Sequence, residues 1–208
     1  MEMDIWTLLN ELDDEEMPVG KEVIDGCVLE FLPKRPRNSS KRDFGSTAIV
    51  AGSKKYTGAA VLAARACLRS GTGSTVMYVP GKLWGHYVGL VPEAILVPVG
   101  EDDVFVYSEE IMKDIMRHSA VAIGMGMGVS KDVYDAIRYL IDNYTGKLLI
   151  DADGLNSIAE YTTNIFEEFK NAKCKILLTP NNWEFCRLLK IKEEDLTKKK
   201  GRYCPGVQ

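Results

Sequence analysis

The chain is predicted to be an α/β domain built on a mostly parallel sheet with helices on both faces. Three observations carry this expectation. Short apolar runs of small or β-branched residues alternate with stretches whose apolar residues recur at helical spacing. The connections between them are short, as strand–helix–strand units require. Polar or glycine-rich stretches follow four of the runs, and in such sheets the ligand crevice lies beyond the carboxyl ends of the strands.

Ile5, Leu8, Leu9 and Leu12 form a short amphipathic stripe, followed by Asp13, Asp14, Glu15 and Glu16. It is expected to dock on the main domain or a neighbouring subunit and to carry no chemistry. Residues 28–32 suit an edge strand. Residues 33–42 form a basic, proline-interrupted loop, either a solvated linker or a rim for a phosphorylated ligand. Residues 1–34 are therefore set apart as an N-terminal helix and edge segment, 35–190 as the α/β domain and 191–208 as a charged tail.

Residues 47–51 are small or β-branched and end at Gly52 and Ser53, as a buried strand would. After the polar turn at 54–58 the period changes. Ala60, Ala63, Ala64 and Cys67 fall on one helical face, with Arg65 and Arg69 off it. Thr57 is a candidate cap for this helix. A strand, a glycine turn and an unhindered helix start let an anion or polar ligand meet backbone N–H groups. Close helix–sheet packing explains the same alanines, and spacing alone favours that reading.

Further strands are expected at 74–79, 94–97, 120–123, 148–150 and 175–178. Leu83, Trp84, Tyr87 and Val88 suggest one helix. Ser108 is a candidate cap for a second, with Ile111, Met112, Ile115 and Met116. Ser130 is a candidate cap for a third, with Val133, Ile137, Leu140, Ile141 and Tyr144. Phe185, Leu188 and Leu189 mark the last.

The 208 residues suffice for one domain with a sizeable core, and 46% apolar with 27% charged is ordinary for a globular protein. A net charge of -4 makes no electrostatic case for nucleic acid. No apolar run approaches membrane-spanning length, and the acidic start does not resemble a secretory signal. The five cysteines lack C-x-x-C spacing, so reduced, mostly buried thiols in a cytoplasmic protein are expected.

Glycines at 124, 126 and 128 let backbone approach a ligand, although the stretch is not a full G-x-G-x-x-G; a tight turn explains it as well. Asp151 and Asp153 flank one alanine and need not form a pair. One could bind a metal through water or accept from a ligand hydroxyl, whereas Asp153 or Asn156 could instead cap the next helix. Asn181 and Glu184 have capping-box spacing, and an outward Glu184 could hold magnesium-bound water near phosphates. His86 and His118 are given no catalytic role.

Together these stretches resemble the NAD(P)H-hydrate dehydratase family, a branch of the ribokinase-like superfamily. The matching pieces are RPRNSSKRDFG (35–45), AGSKKYTGAAVLAARACLRSGTG (51–73), VPEA (91–94), AIGMGMG (122–128), IDADGLN (150–156) and LTPNNWEFCRLL (178–189). The resemblance implies a ribokinase-like fold and repair of a hydrated nicotinamide dinucleotide to NADH or NADPH. ADP or ATP drives it with Mg2+, ADP being favoured. Phosphorylation of the ring hydroxyl followed by loss of phosphate replaces a poor leaving group with a good one.

The resemblance implies that Ala59, following Thr57 and Gly58, and Gly126 contact the substrate. Asn181 stands where many bacterial relatives have histidine. Glu184 matches a carboxylate associated with magnesium and phosphate, and Asp153 and Asn156 match pocket-lining positions. A homo-oligomer and functional pairing with an NAD(P)HX epimerase are also implied. Ser40-Lys41-Arg42 replaces the usual His-Lys-Gly. The family pattern continues with a G-T-G-D helix start whose aspartate is the general base. No G-x-G-D occurs in these residues, so no catalytic residue is assigned, a C-terminally incomplete domain is expected, and little turnover is expected of this form. Two other readings are a non-catalytic dinucleotide-binding or assembly protein and a ribokinase-like small-molecule kinase.

Overall fold

Six strands pair in parallel in the order β3-β2-β1-β4-β5-β6. They are β1 (Ser46–Val50), β2 (Ser74–Pro80), β3 (Ile95–Val99), β4 (Ala120–Ile123), β5 (Lys147–Ile150) and β6 (Lys175–Leu178). The computed structural model describes residues 34–194. The expected N-terminal stripe, edge strand and most of the charged tail lie outside them. Ser40–Lys190 make up one compact unit.

Each strand is short and apolar at its centre, and each crossover carries helix. The helices are α1 (Thr57–Ser70), α2 (Trp84–Val88), α3 (Glu109–Ile115), α4 (Lys131–Asn143), α5 (Asp153–Tyr161), α6 (Ile165–Phe169) and α7 (Asn182–Leu189). Single turns of 3-10 helix precede β1 (Lys41–Phe44) and α2 (Gly81–Leu83).

Alternation along the strands divides the core in two. Val50, Val121, Ile123, Leu148 and Ile150 face α3, α4 and α5 in the larger cluster. Ile49, Ala51, Met77 and Val79 face α1 and α2 in the smaller one. In α1, Ala60 and Ala64 are fully buried, with Ala63 and Cys67 packed beside them, as the spacing predicts. Methyl-sized side chains let this helix lie close on β1 and β2.

Among the described residues, the second face over β4–β6 carries no helix. Leu177 is 58% exposed there. A shallow apolar cavity of about 390 Å3 lies over Ala122, Leu149 and Leu177, flanked by Lys147 and Lys175.

The strand order fixes where loops can meet. The chain runs outward from β1 through β2 to β3, then returns to place β4 on the other side of β1. The helices that follow β1 and β4 lead to opposite sides of the sheet, and such a reversal of strand order is where open α/β sheets bind their ligands.

Candidate functional site

The β1–α1 and β4–α4 loops flank this reversal and are joined directly. Gly52 N–H donates to the Met125 carbonyl at 2.9 Å. Gly126 lies against the start of α1: a Cβ built there would be 2.7 Å from Tyr56 Cβ and 2.8 Å from Ala59 Cβ. With φ at +66° in addition, the position demands glycine. Ala59 and Gly126, singled out separately in the sequence, are thus brought into contact.

Thr57 does not cap α1. It is the first helical residue, Tyr56 occupies the cap position, and no side chain caps the turn. Ala59 N–H turns back to the Tyr56 carbonyl at 3.3 Å. Thr57 and Gly58 are the first two residues of this start, and Gly58 has open space around it.

The next link is Asp153. Its Oδ2 accepts from Gly128 N–H at 2.9 Å, pinning the glycine loop to the first turn of α5. Neither Asp153 nor Asn156 caps α5, as one sequence reading allowed. Both lie within the helix, and the cap position is Ala152 at φ +49°. Asn156 Oδ1 instead accepts from the Arg187 guanidinium at 2.6 Å, joining α5 to α7. Asp151 points elsewhere, because the extended strand ends at Ile150 and the chain turns at Ala152, φ +49°, before Asp153 enters α5. Asp151 Oδ1 accepts from the Thr179 hydroxyl at 2.7 Å.

Residues 181–184 close the chain of contacts. Asn181 Oδ1 accepts from Trp183 N–H at 2.9 Å and Glu184 N–H at 3.0 Å. Glu184 Oε2 accepts from Asn181 N–H at 2.9 Å, completing the capping box that the spacing predicts. Glu184 is 9% exposed, so it turns inward on this cap rather than out into the crevice. Only Oε1 lies outside the capping bond.

The geometry and the donor chemistry constrain any cation here. Among the described residues no group of three or more His, Cys, Asp or Glu side chains could hold a metal ion. Magnesium commonly binds through one or two carboxylates, retained waters and substrate phosphates. One partly engaged carboxylate fits that pattern and does not fit an all-protein cage.

Sequence reasoning missed the Asp153–Gly128 bond, the Arg187–Asn156 bond and the position of Tyr56. The first had a local signal, an aspartate directly after a strand-end turn, which suits either a cap or a tie to a neighbouring loop. The other two depend on which strands become neighbours.

His118 belongs to the opposite end of the sheet. It follows α3 rather than lying within a helix, and its Nδ1 is 3.0 Å from the hydroxyl of Ser46, the first residue of β1. Tyr78 has one hydroxyl proton, which it donates to Asp114 at 2.6 Å. The 3.0 Å contact between Tyr78 and His118 Nε2 therefore has the imidazole donating, and Ser46 donates to Nδ1. Burial lowers the His118 pKa, Asp114 opposes this and Arg117 adds to it.

A family profile described as NAD(P)H-hydrate dehydratase matches residues 47–204. The chain is 29% identical over 175 residues to an ADP-dependent (S)-NAD(P)H-hydrate dehydratase of Staphylococcus aureus, covering 82% of this chain and 58% of that protein. It is similar to a crystal structure of the ADP/ATP-dependent NAD(P)H-hydrate dehydratase of Bacillus subtilis co-crystallised with ATP/Mg2+, with 27% identity and a TM-score of 0.65. That match covers 83% of this chain and 57% of the other. A ribokinase-like protein of Enterococcus faecalis matches with a TM-score of 0.70 at 21% identity, covering 86% and 62%, and shows the fold. The chain spans between 32% and 60% of the lengths of the first curated relatives it matches.

Proposed function

Because the chain belongs to the NAD(P)H-hydrate dehydratase family, we propose that its crevice at the β1/β4 reversal holds the hydrated nicotinamide dinucleotide for nucleotide-driven dehydration. The observation that carries this reading is the contact between the Ala59 region and Gly126 across the two loops. Gly126 and Ala59 carry no side chain or only a methyl there, beside the half-exposed Tyr56, so a flat ligand can approach the backbone. Thr57 and Gly58 offer N–H groups and the positive end of α1 to the dinucleotide phosphates. Asp153 and Asn156 line the pocket while fixing the neighbouring loop and helix.

Asn181 faces the nucleotide side, with ADP favoured over ATP. Glu184 is turned inward on its cap; it would hold magnesium-bound water near the nucleotide phosphates through Oε1 once the carboxylate swings outward. The bound ion's contribution is charge neutralisation on those phosphates. The reaction balances as hydrated NAD(P)H plus nucleotide giving NAD(P)H, inorganic phosphate and the nucleotide shortened by one phosphoryl group. Phosphate departs from the ring carbon in place of hydroxide. The residues of this chain bind and orient, and none is assigned as the base. A cytoplasmic homo-oligomer working beside an NAD(P)HX epimerase completes the proposal.

The test is incubation of the protein with hydrated NADPH, Mg2+ and ADP or ATP, following the return of reduced-nicotinamide absorbance, with NADPH binding measured by calorimetry alongside. The reading predicts saturable NADPH binding with little turnover from these 208 residues. Robust turnover contradicts the reading in which these residues only bind and orient. Absence of NADPH binding contradicts the site itself. A phosphorylated small-molecule product would favour a kinase.

A further inference from the structure

Tyr87 stands in α2 directly against the β1–α1 loop. It is wholly buried, and its hydroxyl is the one buried side-chain polar atom without a hydrogen-bond partner among the described residues. A Cβ built at Gly52 would lie 2.5 Å from that hydroxyl and 3.1 Å from Ala60 Cβ. The tip of the phenol thus fills the space that any other residue at position 52 would need. On its other side, Gly52 is held by its bond to Met125.

The ring packs in the apolar cluster of Ile49, Val79, Leu83 and Val91. Phenylalanine would keep the ring in that cluster and would strand no hydroxyl, giving up only the contact of the oxygen with Gly52. A buried, unpaired O–H is costly, so its presence calls for an arrangement in which it is paired. Burial also raises the Tyr87 pKa, keeping the proton on the oxygen as a donor. The adjoining segment can supply an acceptor. Ser53 is buried beside the same turn, and a glycine at 52 allows the intervening peptide to rotate at little cost.

We propose that Tyr87 is a positioning residue for the dinucleotide site, its hydroxyl bonding the 52–53 segment in the ligand-bound arrangement of the β1–α1 loop. Tyr87 does not touch the ligand; it acts through the backbone of Gly52. The inference rests on the reading above that this loop meets the dinucleotide.

The test compares the parent protein with Tyr87→Phe by melting temperature without ligand and by calorimetric titration with NADPH. The variant is expected to melt roughly 2 °C or more above the parent, because an unpaired group has been removed. Its NADPH affinity is expected to fall about fivefold or more, which a hydroxyl with only a packing role would not cause. An unchanged or lowered melting temperature shows that the hydroxyl is already paired without ligand and overturns the proposal. A raised melting temperature with unchanged affinity overturns it too. Failure of the parent to bind NADPH is a separate result: it refutes the dinucleotide reading and removes the ligand-bound state invoked here.

Discussion

Gly126→Ala isolates the contact between the two loops that define the site. Two physical costs combine at this position. An alanine must adopt φ near +66°, which costs roughly 1–2 kcal/mol relative to glycine. Its methyl must also fit where Tyr56 Cβ and Ala59 Cβ would be only 2.7 and 2.8 Å away. Neither neighbour has a flexible end at those atoms, so the loop must move, at roughly 1–3 kcal/mol for such overpacking. The sum is about 2–5 kcal/mol, or a fall in melting temperature of roughly 4–20 °C for a chain of this size.

Two controls separate the terms. Gly128 has φ at +81° but nothing within 4 Å of a built Cβ, so Gly128→Ala should show the backbone cost of roughly 1–2 kcal/mol without the clash. Gly58 has neither positive φ nor close neighbours, and Gly58→Ala within α1 should be neutral or slightly stabilising. Urea unfolding of all three, read by circular dichroism, gives the comparison. The expected order of destabilisation is Gly126, then Gly128, then Gly58. Gly126→Ala costing no more than Gly128→Ala would refute the packing of the glycine loop on Ala59.

Two further outcomes follow from other contacts. Asp153→Ala removes the acceptor for Gly128 N–H; it should lower the urea midpoint by an amount corresponding to roughly 1–3 kcal/mol and weaken NADPH binding by calorimetry, whereas an unchanged affinity would detach this bond from the site. The lowered His118 pKa predicts that stability is held above the unfolded value of 6.5 and lost as pH falls below it, because the unfolded chain then binds more protons. Urea midpoints from pH 7.5 to 5 should therefore fall more steeply for the parent than for His118→Gln, and parallel curves would contradict the burial of a neutral imidazole.

Much of the sheet was legible because each strand is a short apolar run with a turn signal at its end. The stripe in α4 is similarly clear: Val133, Ile137, Leu140 and Ile141 are all buried, and Ser130 accepts from Val133 N–H at 3.2 Å as its position suggests. Local chemistry was less decisive elsewhere. Ser108 has the extended backbone of a cap but no side-chain capping bond. Asp153 has a residue type that suits a cap, yet its carboxylate is taken by a backbone group 25 residues away.

The convergence itself follows from strand order, which periodicity does not encode. Placing β4 beside β1 rather than beside β3 brings residues 124–128 onto the start of α1. The same applies to the uncovered half-face: alternation in β5 and β6 shows which residues share a side, and only the packed structure shows that Leu177 is left in solvent there. Glu184 shows the reverse case. Its capping role is local and visible in spacing, and the structure adds that the carboxylate is turned inward by that role.

Hydrogen exchange with and without saturating NADPH puts the convergence to the most direct test. Slower exchange arising together in residues 52–60, 124–128 and 151–156, with the strands' amino ends around Ser46 and His118 unchanged, is the predicted footprint. Protection confined to one of these loops, or located on the opposite end of the sheet, would contradict a single dinucleotide site at the β1/β4 reversal.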